Sequence, residues 1–451
     1  MKRVLVANRG EIAVRVIRAC HELDLEAVAV YSTADREGAW LRLADRAVCI
    51  GPAAARDSYL NHSNVIGAAE TTACDALHPG YGFLSESPQF VRTCEDNDLV
   101  FIGPTADSME VLGDKSLAKA AMRTAGMPLV PGSDGRLDGV EEARQVADEV
   151  GYPVLLKAAS GGGGRGMRPV ADPFELESAY ATATAEAQAA FGDGGLYLEK
   201  IVVDAHHVEV QIVGDGEGGA LVVGERECSV QRRHQKLLEE SPSPFLSDVA
   251  RAQLYDAALG AVRSTRYRNA GTIECLLGSD QSFYFMEMNT RLQVEHPVSE
   301  QVTGIDLVRT QLKLAMGEGL PRHGIAQARG HAIEFRVNAE DPSRGFMPSP
   351  GPLRRFRPPL GRGVRVDTHG YEGYTVPPNY DSLVAKLIVS DDDRPSALAR
   401  AAQALAEFEV EGVSTTLPLF REMVTEPLFR SGVYTTAYLD EAAGRLSSLS
   451  A

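Results

Sequence analysis

One stretch of this chain, Phe285–Pro297, most restricts how it can fold. Glu287, Asn289, Arg291, Gln293 and Glu295 occupy successive odd positions, while Met286, Met288, Leu292 and Val294 occupy even ones. Strict alternation has the period of an extended strand with one wet and one dry face. Carboxylates with a carboxamide are hard oxygen donors suited to Mg²⁺, and a guanidinium suits an oxyanion. That face reads as a metal and anion site. A straight strand rises about 3.3 Å per residue, which would set Glu287 and Glu295 about 26 Å apart, too far to share one small site. The strand is therefore expected to end near Asn289, with Thr290–His296 curling as a loop.

The segment Gly271–Gly278 lies just upstream, joined through Ser279–Ser282. A four-residue hairpin would pair Gly278 with Phe283, Leu276 with Phe285 and Glu274 with Glu287. Opposed residues share a face with Cβ atoms about 4.5–5.5 Å apart, so the two carboxylates repel unless a cation lies between them. A shared Mg²⁺ is the economical explanation.

From the N-terminus, Val4–Ala7, a helix with Ile12, Val16, Cys20 and Leu23 at helical spacing, and Glu26–Tyr31 form a β-α-β unit of Rossmann-like type. No G-x-G-x-x-G follows the first strand, which disfavours dinucleotide binding there. Arg15 and Arg18 fall on the polar side of the helix and read as a solvated face. The loop His78–Glu86, dense in Gly, Pro and aromatics, is of the kind that lines a crevice at strand ends. A boundary is expected near Leu112–Lys115.

Gly151–Lys157 reads as a strand that ends in lysine and runs into Ser160–Met167, with five glycines between 161 and 166. Backbone amides of such a loop can close over phosphates, so it reads as a mobile lid; no Walker Gly-Lys-Ser/Thr follows. Glu199-Lys200 ends the strand Gly195–Ile201, placed to meet an adenine through side chain and backbone. Alternation in His206–Val213 sets His207, Glu209 and Gln211 on one face. Val222–Arg226 is a strand opening into a segment with Arg232, Arg233, His234 and Lys236, read as a local anion site. Glu334, Arg336 and Asn338 share a face, and Arg336 fits either a structural ion pair or a substrate contact.

The 451 residues allow two to four domains. A formal charge of −17 argues against non-specific nucleic-acid or anionic-membrane binding. The six cysteines have no metal or disulfide spacing, and most read as core; Cys228 stands apart because it lies within the charged run. No apolar run is long enough for a membrane span and no signal peptide is apparent, so a cytoplasmic chain is expected.

Asn8–Ala13, His78–Glu86, Lys157–Met167, Arg232–Lys236 and Glu287–Pro297, in this order, resemble the biotin carboxylase subunit of acetyl-CoA carboxylase. The resemblance runs along essentially the whole chain. It implies an ATP-grasp fold of mixed α/β and α+β type: an N-terminal Rossmann-like domain (1–113), an ATP-grasp domain (114–330, lid about 131–203) and a C-terminal domain (331–451). By resemblance, Lys115, Lys157, Gly162, Gly163, Gly164, Glu199, Lys200, His207, Gln231 and His234 contact ATP. Glu274 and Glu287, with Asn289 near them, are the metal ligands for Mg²⁺ or Mn²⁺. Lys236, Arg291, Gln293 and Val294 hold bicarbonate, Glu295 is the general base, Arg336 stabilises the anionic intermediate and the biotin enolate, and Tyr81 lies near the biotin ring.

The implied reaction is carboxylation of biotin through carboxyphosphate, most simply for acetyl-CoA and fatty acid synthesis. The chain contains no Ala-Met-Lys-Met biotin-attachment sequence and no room for a carboxyltransferase, so biotin on a separate carrier protein and separate transferase subunits are expected. The helix bearing Arg15 and Arg18 resembles the family's homodimer interface. Two other classes stay open: an ATP-grasp ligase of the carbamoyl-phosphate type, and a non-catalytic nucleotide-binding subunit.

Overall fold

The computed structural model describes residues 1–159 and 166–449. Apolar β-branched runs with short turns build a five-stranded parallel sheet from β1 (Arg3–Val6), β2 (Glu26–Tyr31), β3 (Arg46–Cys49), β4 (Ala76–His78) and β5 (Val100–Phe101). Its order is β3-β2-β1-β4-β5, the doubly wound arrangement expected of a Rossmann-like unit. The helix α1 (Gly10–His21) starts directly after the β1 turn. Arg15 departs from the solvated face expected of it. It pairs with Glu300 at 3.1 Å and Asp306 at 2.6 Å within the same chain, and only Arg18 stays exposed. The N-terminal unit is thereby pinned to the rest of the molecule.

A small antiparallel sheet, β6 (Val154–Ala158), β7 (Met167–Val170) and β8 (Leu196–Lys200), has order β7-β6-β8 and its own apolar core with the helices Val140–Val150 and Leu176–Phe191. Lys157 lies opposite Met167, so the glycine-rich segment joins two paired strands. Gly162, Gly163 and Gly164 lie outside the described residues.

The large sheet carries the chemistry. It contains β9 (His206–Asp215), β10 (Ala220–Arg232), β11 (Gln235–Ser241), β12 (Arg268–Leu277), β13 (Phe283–Asn289), β14 (Gly324–Ile325), β15 (His331–Asn338) and the strands Val364–Thr368 and Leu383–Asp391. Except for β14, which runs parallel beside β10, neighbours are antiparallel in the order β13-β12-β9-β10-β11-β15, then the last two strands. Pairing of β11 with β15 carries the sheet straight across residue 330.

Two expectations about this sheet need correction. The strand expected to end at Arg226 is longer: β10 runs on to Arg232 and turns back at Arg233 and His234, with φ of +49° and +66°. That is the geometry of a two-residue hairpin turn. The β12–β13 hairpin pairs Leu277 with Phe283 and Cys275 with Phe285, one residue away from the expected register. A bulge at Met286 absorbs the slip and restores Glu274 opposite Glu287.

Behind β11, Glu240 is fully buried and accepts from Arg394 at 2.7 and 3.0 Å, and from His331 and Tyr434. Burial alone would push its carboxyl up, but the His331 hydrogen bond and the Arg394 charge outweigh it and hold it at about 2. A depressed carboxylate stabilises the fold above its unfolded pKa, and that stabilisation fades as pH falls toward the folded value. Glu240→Gln strands a buried guanidinium and should cost about 3–5 kcal/mol in urea unfolding at pH 7. The gap to wild type should narrow as pH falls from about 4.5 toward 2.

Candidate active site

Strand alternation on β9, β12 and β13, with the turn after β13, brings a set of charged side chains to one face of the large sheet. They line a cleft of about 610 Å³ between that sheet and the N-terminal unit. At its centre the Lys236 ammonium donates to Glu209 at 2.5 Å, Glu274 at 2.8 Å and Glu295 at 2.7 Å. Burial alone would lower the lysine, but the three carboxylates, Glu209 foremost, hold it well above its usual range. Glu295 lies on the other side of the same balance. Burial would raise it, whereas Lys236 and then Arg336 hold it well below the usual carboxylate range. It is therefore ionised at neutral pH while 0% exposed.

Arg336 donates to the second oxygen of Glu295 at 2.8 Å and pairs with Glu239 at 2.5 Å. Both contacts are structural ion pairs, the first of the two readings of Arg336, on a residue that also lines the cleft. Glu239 is pushed up to about 7, first by burial and then by Glu295, against the pull of Arg336. Behind Lys236, the buried Arg226 donates to Glu209, to Gln211 at 2.7 Å and to Ser299 at 3.0 Å. The shared face expected of His207, Glu209 and Gln211 is thus present.

Glu274 and Glu287 differ sharply. One oxygen of Glu274 accepts from Lys236, from Asn289 at 2.8 Å and from Gln293 at 3.1 Å; the other lies 3.0 Å from His207 Nε2. Burial would raise Glu274, but Lys236 and His207 hold it well below the usual range. Glu287 accepts no hydrogen bond from any described residue, and burial together with Glu274 raises it. A donor-free carboxylate against a second carboxylate, with the Asn289 amide alongside, fits a hard cation. Lys115, first residue of the helix Lys115–Thr124, lines an adjoining hollow with Glu287 and Asn289.

The turn after β13 forms as expected. The strand stops at Asn289, and Glu295 precedes the helix His296–Thr303. Arg291 reaches back to Glu86 at 2.8 Å, Gln293 at 2.9 Å and Asn289 at 3.1 Å. Glu86 belongs to the aromatic loop, whose Tyr81 also lines the cleft. Gln231 contacts His207 Nδ1 at 3.1 Å, and His234 lies at the rim.

The cationic segment is not a single anion site. Arg232 stacks on Phe346, Arg233 is exposed, and Lys236 alone enters the carboxylate cage, because hairpin geometry sends successive side chains to opposite faces. Cys228, suspected of a role because of that run, is fully buried and its thiol is pushed well up by burial.

Lys157, Glu199 and Lys200 are not among the cleft-lining residues. Glu199 accepts from Lys157 and from Lys119, a residue the sequence reading missed, and both ammonium groups lie near the Tyr197 ring. Lys200 donates through its side chain to the carbonyls of Gly151 at 2.7 Å and Tyr152 at 2.9 Å, and its backbone N–H donates to the Pro131 carbonyl at 2.7 Å. Sequence reasoning also missed Glu239, Arg226, Glu11 and Lys386. Each is a charged residue within an apolar strand or at a helix start, where only an unusual buried charge was available as a signal.

A parallel nucleotide-type unit, a small lid sheet beside a glycine-rich segment, and a carboxylate and cation cleft on a large antiparallel sheet define an ATP-grasp ligase. Residues 1–109 match the biotin carboxylase N-terminal domain family, 114–323 the ATP-binding domain of the carbamoyl-phosphate synthase L chain, and 334–441 the biotin carboxylase C-terminal domain. The chain is 52% identical to the biotin carboxylase of Pseudomonas aeruginosa over 98% of its own length and 99% of that protein. It superposes on a Campylobacter jejuni biotin carboxylase–β,γ-ATP complex with a TM-score of 0.92 at 48% identity, covering 98% of each chain. The biotin carboxylase domain dimer of Hydrogenobacter thermophilus 2-oxoglutarate carboxylase, in complex with MgADP, ADP and bicarbonate, gives 0.89 at 45% identity over 98% and 97%. The chain belongs to the biotin carboxylase family and is an ATP-dependent ligase.

Lys236→Met would leave three carboxylates without their shared cation and should cost about 3–5 kcal/mol in urea unfolding. Glu287→Gln removes a like-charge contact and no hydrogen bond, so its melting temperature should equal or exceed that of wild type.

Proposed function

We propose that this chain carboxylates biotin borne on a separate carrier polypeptide, using ATP and bicarbonate through carboxyphosphate. The carboxyl group then passes to an acyl-CoA, acetyl-CoA first among candidates, on a partner transferase. The single observation that carries the reading is the ionised, buried Glu295 held between Lys236 and Arg336. Residues 1–113, 114–330 and 331–451 act as the three domains, and the protein works as a cytoplasmic homodimer. Among the described residues, no helix is long and apolar enough to cross a membrane.

ATP is held by Lys115, Lys157, Glu199, His207, Gln231, His234, the Lys200 backbone and the glycine segment. Glu287, with Glu274 and Asn289, would hold Mg²⁺, which when bound would supply charge compensation for the transferring phosphoryl group. Bicarbonate is positioned by Lys236, Arg291, Gln293 and the Val294 backbone, its negative charge matched to cations already present. Glu295 takes the bicarbonate proton while a bicarbonate oxygen attacks the γ-phosphorus and ADP leaves. Carboxyphosphate then breaks to CO₂ and phosphate, and the phosphate takes the N1′ proton of biotin. Arg336 stabilises the resulting enolate as it attacks CO₂, with Tyr81 against the biotin ring. Exclusion of water protects the intermediate from hydrolysis.

Purified protein should cleave ATP only with Mg²⁺ and bicarbonate, and faster with free biotin. Cleavage indifferent to both bicarbonate and biotin contradicts the reading, and acceptance of ammonia in place of biotin assigns the carbamoyl-phosphate type instead. Arg336→Ala should slow biotin carboxylation about a hundredfold or more while the KM for ATP stays near wild type.

A further inference from the structure

Lys386 lies within the strand Leu383–Asp391, opposite Arg336 on one side and Asp367 on the other. Its side chain is 0% exposed. A buried ammonium is a costly filler for a slot that an apolar side chain would occupy more cheaply, so its partners matter. They are two. Its Nζ donates to the Val294 carbonyl oxygen at 2.8 Å and pairs with Glu11 Oε1 at 3.1 Å. Glu11, in the first turn of α1 and likewise buried, accepts on that same oxygen from the Tyr81 hydroxyl. Its other oxygen has no hydrogen-bond partner among the described residues.

A continuous polar chain therefore runs Tyr81–Glu11–Lys386–Val294, joining four separate parts of the sequence. Burial alone would lower the pKa of Lys386, but Glu11, Glu334 and Asp367 outweigh it, so the ammonium stays charged and both of its contacts persist. Its two ends are informative. Val294 immediately precedes Glu295, and because the peptide is planar, holding the Val294 carbonyl orients the whole Val294–Glu295 peptide. Tyr81 lies across the same cleft as Glu295.

We propose that Lys386 is a positioning residue for carboxylation: through Val294 it sets the turn that holds bicarbonate, and through Glu11 it sets the tyrosine that faces biotin. The two substrate positions are thereby kept in register by one ammonium. This rests on the biotin carboxylase reading of the cleft.

The test uses the full chain. Wild type is measured first; absence of bicarbonate- and biotin-dependent ATP cleavage removes the functional reading itself, before any variant is compared. Glu11→Gln and Lys386→Met are then compared with wild type by circular dichroism, thermal melting and steady-state kinetics. The KM for bicarbonate and the KM for biotin should each rise about tenfold in both variants, while the KM for ATP changes by less than about twofold. Tyr81→Phe cuts only the far link and should raise the KM for biotin alone. The double variant Glu11→Gln/Lys386→Met should be no worse than the poorer single one, as for residues acting as one unit. If Lys386→Met does not fold, the isosteric Glu11→Gln carries the comparison. A folded Glu11→Gln protein with unchanged KM for bicarbonate and biotin, or with the KM for ATP raised equally, overturns the proposal.

Discussion

One ammonium group, that of Lys236, organises this molecule. It joins Glu209 from β9, Glu274 from β12 and Glu295 from the turn beyond β13, and none of these carboxylates is appreciably exposed. Three buried anions in one place would drive the sheet apart or take up protons; one shared cation lets them stay ionised and close. Arg226 closes the cage behind Glu209, and Arg336 closes it beside Glu295. The registers of β9, β10, β11 and β12 follow, because a shift of one residue would turn each of these side chains to the other face.

The cage is not balanced throughout, and its excess negative charge lies at three carboxylates. The Glu287 carboxylate has no donor among the described residues, and burial first, then the like charge of Glu274, raises it. Glu239 and Glu334 face each other across β11 and β15, both fully buried, and both are pushed up chiefly by burial. In the proposed function a cation at Glu287 would relieve one excess, and an anion would lie among Lys236 and Arg336, both paired with Glu295, and Arg291, paired with Glu86. The lid side is built independently, with Lys119 and Lys157 both paired to Glu199.

Much of this was legible in the sequence wherever period and distance argued together. The end of β13 at Asn289 followed from the length of a strand, and the Glu274–Glu287 pair from counting back across a hairpin. The pairs nearer the turn were one residue off because a bulge at Met286 leaves no mark in the hydrophobic pattern. Arg232–Lys236 read as one local anion site because its cations cluster in sequence; the structure makes it a tight turn between two strands that sends Arg232 onto Phe346 and Lys236 among the carboxylates. Lys386 and Glu11 could not be foreseen as a pair, because 375 residues separate them and neither breaks the period of its own element.

The central claim is that a bicarbonate oxygen, freed of its proton by the caged Glu295, attacks the γ-phosphorus of ATP. Carboxyphosphate leaves that oxygen on phosphorus when it splits, since the bond that breaks is the one between carbon and the bridging oxygen. Turnover with ¹⁸O-labelled bicarbonate in unlabelled water, followed by mass analysis of the inorganic phosphate, tests this directly. The account predicts one labelled oxygen in each phosphate formed. Phosphate carrying only unlabelled oxygen would mean that water attacks ATP, and would contradict it.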